Sequence, residues 1–326
     1  MKALLLDAPG PPETLRLGEA QAPHAGPGEI VVRVKACGLN PVDYRVAQSG
    51  NPAWTWPHIL GLDVAGVVEE VGQDVSGFVP GDKVAYHGDL RRNGGYAEFA
   101  VTAADTVAPM PQGLSFERAA ALPCAGMTAY QAINRRLHLH AGDTILVTGG
   151  AGGVGGFAIQ LARSRQARVF TTASPANLMY VGRLGADIVF DYHTDDVPTS
   201  VRELTNGYGV NGVIDTIGPD SARDNLELVA YGGGLVAVAG RPETNPVRPF
   251  TTSPSVHEIS LGAVHAYGNP AARKDLVTML TAIMRRVANG TLDAMLTETV
   301  SLADVPAALA HLATRHARGK TVYVAD

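Results

Sequence analysis

The sequence predicts an α/β fold in which a doubly wound parallel sheet domain is inserted between two parts of a β-rich domain. Three features predict it. Residues 1–122 hold short apolar runs punctuated by Pro and Gly, residues 123–262 alternate strand and helix patterns, and residues 263–326 return to two helices and a closing strand. A chain of 326 residues is long enough for about two domains of 100–200 residues each.

In the first part, Glu29–Lys35 alternates apolar and polar residues, and Val64–Val71 and Lys83–Tyr86 are short apolar runs. Gly26-Pro27 and Pro80-Gly81 supply turns between them. Evenly spaced short strands of this kind predict a barrel-like or sheet-rich domain. In the second part, strands are expected at Thr144–Thr148, Arg168–Thr172, Ile188–Phe190, Val213–Asp215 and Gly234–Ala239, with helices over Val154–Arg165 and Ala176–Leu184. That alternation is the mark of βαβ units, whose crossover helices cover both faces of a parallel sheet. In the third part, apolar spacing predicts a helix over Arg273–Ala288, stopped by Asn289-Gly290, and another from Leu302 to about Thr314. Lys320–Val324 reads as the last strand.

Composition excludes several function classes. The 26 Lys+Arg against 31 Asp+Glu leave a net charge of −5, with no basic block to track a nucleic-acid backbone. No apolar stretch approaches the roughly 18–20 residues of a membrane span. The N-terminus meets Asp7 and Pro9 too early for a signal-peptide core, so a cytoplasmic location is expected. Two cysteines, Cys37 and Cys124, build neither a disulfide framework nor a structural zinc site alone.

The 37 glycines matter through where they cluster. Directly after the strand at 144–148 comes Gly149-Gly150-Ala151-Gly152-Gly153-Val154-Gly155-Gly156, followed by a helix. Gly150, Gly152 and Gly155 match the spacing of a dinucleotide-binding turn. Gly150 is expected to permit the turn, Gly152 to let the backbone approach a diphosphate, and Gly155 to let the helix pack close to the strand. Free N–H groups at the helix start, through Ala151, Gly153 and Val154, face the anion. NAD sites carry an acidic residue about 20 positions on. Here Ser174 stands 19 residues after Gly155, and Ser174 and Asn177 can donate to a 2′-phosphate that no carboxylate repels. NADP(H) is the expected cofactor.

With these residues in view the chain resembles the medium-chain dehydrogenase/reductase superfamily along essentially its whole length. Three stretches carry the likeness: Ala36–Asp43; Pro57–Gly66 running on to Gly72 and Gly81–Val84; and the glycine loop. The resemblance implies a Rossmann domain inserted in a GroES-like catalytic domain. It also places the three catalytic-zinc ligands of zinc-dependent members on Asn40, Leu62 and Cys124, with Asp63 in place of a Glu. One ligand of three survives, fewer than zinc catalysis needs, and no cysteine lies between His87 and Tyr96 for a structural zinc lobe. No metal is expected, and Cys124 is read either as a small packed side chain or as a redox-sensitive thiol.

The branch resembled is therefore that of the zinc-independent, zeta-crystallin-like quinone oxidoreductases. It implies NADPH-dependent reduction of quinones or α,β-unsaturated carbonyls, small-molecule substrates, and a homodimer joined near the last strand of the cofactor domain, about His257–His265. By the same resemblance, Thr128 packs on the nicotinamide, Thr216 and Ile217 form the loop over its ribose, and Ala239, Ala263 and His265 hold the carboxamide. Tyr192 matches a tyrosine near the adenosine phosphate. Candidate catalytic residues are Asn40, either a donor to substrate oxygen or a backbone-bonding turn residue, with Tyr44 and Tyr267. Tyr267 either faces the cleft or lies in the dimer contact. Asp43 is read as structural, Trp54 and Trp56 either as a stacking platform or as loop packing, and His58, His87, His138 and His140 as surface or turn residues. Two rival readings stand beside the leading one: an enoyl-thioester reductase, whose carrier needs a basic entrance for which Arg91-Arg92 and Arg135-Arg136 are the candidates, and an NADPH-binding sensor or scaffold.

Overall fold

The structure, a computed structural model, describes residues 1–325. It divides into two compact units, Met1–Met127 with Leu261–Asp326, and Thr128–Ser260. The chain leaves the first unit a few residues after the expected boundary at 122/123 and returns at Leu261.

The first unit is built on strands β1 (Lys2–Leu5), β2 (Arg16–Glu19), β3 (Glu29–Gly38), β4 (Asp63–Val71), β5 (Lys83–His87), β6 (Phe99–Ala103) and β7 (Ala108–Pro109). The second holds β8 (Thr144–Val147), β9 (Arg168–Ala173), β10 (Ile188–Asp191), β11 (Val210–Asp215), β12 (Val229–Ala237) and β13 (Ser255–Glu258). The returning chain adds β14 (Leu296–Val300) and β15 (Lys320–Val324) to the first unit, in the sheet order β14-β15-β3-β4-β5-β7, with β6 on β3. β15 pairs antiparallel with the end of β3, Val322 opposite Gly38. That pairing sets the start of β15 beside the residues that follow β3. Alternating inward residues such as Ile30, Val32 and Val34 close the core with Leu4, Leu6, Tyr96 and Tyr323.

One element of this unit is not anticipated. Pro41–Ser49 is a helix, entered through Pro41 at its first position, with Asp43 reaching back to the Asn40 N–H at 2.9 Å. Its buried residues are Asp43, Tyr44 and Ala47, so it carries no apolar stripe to signal it.

In the second unit β10-β9-β8-β11-β12-β13 form an all-parallel sheet. The chain starts at β8, moves outward through β9 and β10, then crosses to β11 on the other side. The strand order therefore reverses between β8 and β11, and in open α/β sheets ligands bind outside the carboxyl ends of the strands at that point. Helices at Val197–Leu204 and Pro219–Asn225, absent from the sequence expectation, complete the crossovers. Leu146, Phe170, Val213 and Leu235 lie in the buried core of this unit. After β13, Leu261–Ala263 and Val264–Tyr267 form helical turns instead of the strand expected there.

Candidate functional site

The carboxyl ends of β8, β9 and β11 bring together much of what the glycine pattern predicts. Gly149 carries the left-handed backbone of the turn, with φ +67°, so the conformational demand falls one residue before Gly150. Gly150 is needed for space: a Cβ there would lie 2.2 Å from Thr171 Oγ1 on β9. A Cβ on Gly155 would lie 2.3 Å from the Gly149 carbonyl, which is backbone and cannot yield. On Gly152, the residue that precedes the helix Gly153–Ser164, a Cβ would meet nothing nearer than 3.5 Å. The packing around Gly152 therefore leaves room for a side chain. That open position at a helix start, flanked by Ala151, Gly153 and Val154, fits a dinucleotide diphosphate.

The neighbouring loops are held by named bonds. Asn177 Nδ2 donates to Ser174 Oγ at 3.1 Å, so the two residues expected at a 2′-phosphate form one polar turn after β9. Tyr192, just past β10, is half-exposed against His193. Thr216 donates its hydroxyl to the Thr148 carbonyl at 2.7 Å. Asp215, which the sequence reading passes over, anchors this loop. Its buried carboxylate accepts from the Ile217 and Gly218 N–H groups at 3.0 and 3.1 Å, from Ser221 Oγ at 2.5 Å and from Asn225 Nδ2 at 3.0 Å. Ile217 is left half-exposed. Thr128 is buried in the helix Pro123–Gln131, and Ala239 follows the end of β12. Ala263 and His265 lie in the first unit, in the helical turns after β13.

The first unit holds a buried polar network at the position that the resemblance gives to a metal. Lys320, 4% exposed at the start of β15, donates to Asn40 Oδ1 at 2.5 Å and to the Leu39 carbonyl at 2.9 Å. Asn40 Nδ2 donates to Asp63 Oδ2 at 2.8 Å and to the Gly38 carbonyl at 3.3 Å. Asn40 thus positions Asp63, and its amide hydrogens are already engaged. Asp63 also accepts the Cys124 N–H on both oxygens, at 3.0 and 2.9 Å, and bonds His87 Nδ1 at 2.7 Å. Because its other partners are all N–H donors, Asp63 acts as an acceptor and the proton of this bond sits on His87 Nδ1. His87 is 3% exposed, so reading it as a surface residue is corrected. The same holds for His58, buried and stacked on Trp54 at 4.0 Å, its imidazole pushed down to about 4 by burial. His138 and His140 are exposed.

Asp63, His87 and Cys124 place ligand atoms within 4.8 Å of one another, a donor set that includes thiol, imidazole and carboxylate. The set does not suit a divalent cation. Both Asp63 oxygens and His87 Nδ1 are spent on each other and on N–H donors. Burial and the Asp63 charge push the Cys124 thiol up, away from thiolate. Lys320 already supplies a fixed positive charge against Asn40.

Asp43 sits beside this network. Its Oδ2 accepts from Tyr96 OH and the Asn40 N–H, both at 2.9 Å, while Oδ1 is buried with no partner. Burial, reinforced by the Asp63 charge, raises its carboxyl to about 7. Between about pH 4 and 7 the folded protein therefore binds a proton that the unfolded chain does not. Stability is expected to fall as pH rises through that window and to level off above it. Thermal melts from pH 4 to 8 should show this slope in the parent and lose it in Asp43→Asn; an equal slope in both would contradict the assignment.

The remaining candidates separate. Tyr44 is buried, whereas Tyr267 is 89% exposed at the end of its helical turn. Trp54 packs inward and donates Nε1–H to the Leu90 carbonyl at 2.6 Å, while Trp56 meets it edge-on and stays half-exposed.

Comparison with known proteins shows the family. Residues 26–112 match the family model described as alcohol dehydrogenase GroES-like domain, and residues 153–287 the one described as zinc-binding dehydrogenase. The chain is 34% identical over 274 residues to quinone oxidoreductase of Mus musculus, covering 81% of both proteins. It is 32% identical over 325 residues to that of Pseudomonas aeruginosa, covering 98% of both. The solved structure of Escherichia coli quinone oxidoreductase with NADPH superposes at a TM-score of 0.88 over 100% of each chain, at 25% identity. The chain belongs to the medium-chain dehydrogenase/reductase superfamily, among its quinone oxidoreductases. It is an oxidoreductase of that type with a nucleotide-binding domain, and none of its helices among the described residues is long and apolar enough to cross a membrane.

Proposed function

We propose that the chain is a zinc-independent reductase that uses NADPH to reduce quinones or α,β-unsaturated carbonyls. The observation that carries the reading is the Lys320–Asn40–Asp63–His87 network, which occupies the place of a metal with hydrogen-bonded side chains and a buried ammonium. A site without a Lewis acid suits an acceptor that is already electrophilic, since a simple ketone or aldehyde needs its oxygen polarised. Bound NADPH supplies the hydride. The chain's own task is to align the acceptor and to place donors near the developing oxyanion. Asn40 contributes by holding Asp63, and Tyr267 is the exposed phenol assigned to the substrate side; Tyr44 supports the loop from inside.

For the cofactor, the Gly149–Val154 turn takes the diphosphate, and the Ser174–Asn177 turn, without a carboxylate, takes the 2′-phosphate. Thr128, Thr216, Ile217, Ala239, Ala263 and His265 serve the nicotinamide end and Tyr192 the adenosine end. The Escherichia coli relative, solved with NADPH, supports this choice. A homodimer joined through the edge strand β13 and a cytoplasmic location complete the reading.

Ser174→Asp tests the cofactor assignment. A carboxylate there repels a 2′-phosphate and accepts from a 2′-hydroxyl, so KM for NADPH should rise and KM for NADH fall, reversing the preference by about 100-fold in kcat/KM. An unchanged preference would move the 2′-phosphate elsewhere. Acceptor specificity is read in the same assay from a small quinone, a linear enone and a simple aldehyde, with turnover of the first two alone expected.

A further inference from the structure

His87 ends β5 opposite Asp63 on β4, and its ring is held at one nitrogen only. The Nδ1–H bond to Asp63 Oδ1 at 2.7 Å fixes the plane of the ring and aims Nε2 away from the carboxylate. Nε2 makes no hydrogen bond among the described residues. Nor is it fully buried, as the unpartnered Asp43 Oδ1 is, so the small exposed part of the ring includes this nitrogen. Gly262 stands beside it: the nearest atoms to a Cβ there would be His87 Nε2 and Leu90 Cδ1, both at 3.7 Å. The glycine thus leaves space next to a nitrogen that has no partner.

Two contacts connect Nε2 to the place of reduction on the reductase reading. On one side, Asp63, His87 and Cys124 bring ligand atoms within 4.8 Å of one another, at the position the resemblance gives to a metal. In zinc-dependent members a metal polarises the substrate oxygen. On the other side, His265 Nε2 donates to the His87 carbonyl at 3.0 Å, and Gly262 directly precedes Ala263. Ala263 and His265 are the residues assigned to the nicotinamide carboxamide. All of these residues belong to the first unit. A reduced acceptor also needs a proton for its oxygen. The amide hydrogens of Asn40 are already engaged with Asp63 and the Gly38 carbonyl, whereas His87 Nε2 is uncommitted.

We propose that His87 is the catalytic acid of the reduction, its Nε2 bonding the acceptor's oxygen and delivering the proton that follows the hydride. The inference rests on the reductase reading and adds the proton donor to it. Bound NADPH gives its hydride to the β-carbon of an enone and is oxidised to NADP⁺, and the alkene's electron pair moves onto the carbonyl oxygen as an enolate. That oxygen takes the proton from Nε2, the electrons of the N–H bond stay on the ring as neutral imidazole, and the enol becomes the saturated ketone in water. Solvent returns a proton to Nε2. For a quinone, the same proton goes to the hydroquinone anion. The titratable and charged groups around the ring are the Asp63 carboxylate on β4, the Cys124 thiol on the helix Pro123–Gln131 and the His265 imidazole on the turn Val264–Tyr267, with the Lys320 ammonium of β15 behind Asn40.

His87→Asn is the informative variant. The asparagine keeps an N–H where Nδ1 stands, so the bond to Asp63 survives, and the bond from His265 is made to the backbone. Thermal melts and NADPH affinity should therefore stay close to the parent's, while kcat/KM for a linear enone should fall about 100-fold. A step that needs the imidazolium slows as pH rises, so the parent's kcat/KM should decline across about pH 6–9 and the profile of His87→Asn should be flat at its lower level. Full activity in His87→Asn, the parent's pH slope retained in it, or a loss of turnover matched by a loss of NADPH binding overturns the inference. The reductase reading stands in each of those cases if the parent reduces the enone or 1,4-benzoquinone. A parent that reduces neither overturns that reading and the role of His87 with it.

Discussion

Gly152→Ala is expected to cost the protein its cofactor while leaving its stability intact, and Gly155→Ala to weaken both. The two glycines stand three residues apart in one motif, yet their surroundings differ. The nearest atom to a Cβ on Gly152 is the Gly149 carbonyl oxygen at 3.5 Å, an ordinary contact, so the folded protein tolerates a methyl there. A bound diphosphate does not, because the methyl holds the backbone N–H groups away from it. Losing one or two charge-assisted hydrogen bonds corresponds to about 10- to 1000-fold in affinity. At Gly155 the same methyl would stand 2.3 Å from the Gly149 carbonyl oxygen and 2.9 Å from Gly150 Cα. The helix must then move off the turn, at a cost of about 1–3 kcal/mol typical of overpacking. NADPH titration followed by cofactor fluorescence, paired with thermal melts, separates the two effects. Normal NADPH affinity in Gly152→Ala would remove the diphosphate from this turn.

Lys320→Met is expected to produce the largest loss of stability of any single substitution considered. The ammonium is nearly inaccessible, and its bonds to Asn40 Oδ1 and the Leu39 carbonyl join β15 to the loop after β3. Removing one member of a buried, hydrogen-bonded charge arrangement leaves its partners uncompensated, which typically costs about 3–5 kcal/mol. Here the partners are Asn40 and, behind it, the Asp63 carboxylate, with the Asp43 carboxyl close enough to respond. The urea midpoint should fall accordingly, and the carboxyl of Asp43 should rise further, moving the pH-dependent loss of stability to higher pH. A midpoint within experimental error of the parent would show that the ammonium is solvated and the network is not a unit.

What was legible in the sequence was local. The glycine spacing between a strand and a helix located the tight turn after β8, and the run from Pro57 to Val84 located the family, because both patterns are set by neighbours along the chain. The buried network was not legible for the opposite reason. Lys320 and Asn40 are 280 residues apart, and they meet only because β15 pairs with the end of β3. His87 sits on β5 opposite Asp63 on β4, a cross-strand pair whose register no periodicity reveals. Counting metal ligands by position therefore missed His87 and left its partnership with Asp63 unseen. The helix Pro41–Ser49 escaped because its inward face is polar, with Asp43 where an apolar residue would have shown the period. Ala263 and His265 lie in helical turns because the chain leaves the sheet after β13, a departure that its apolar residues do not announce.

The central claim is hydride transfer to a conjugated carbon at a site without a metal. The most direct measurement is NMR of the product formed from a linear enone by EDTA-treated protein with NADPH dideuterated at C4. The account predicts one deuterium at the β-carbon of a saturated ketone, at a rate unchanged by EDTA. Deuterium on the carbinol carbon of an allylic alcohol, formed at a rate that chelation abolishes, would contradict it.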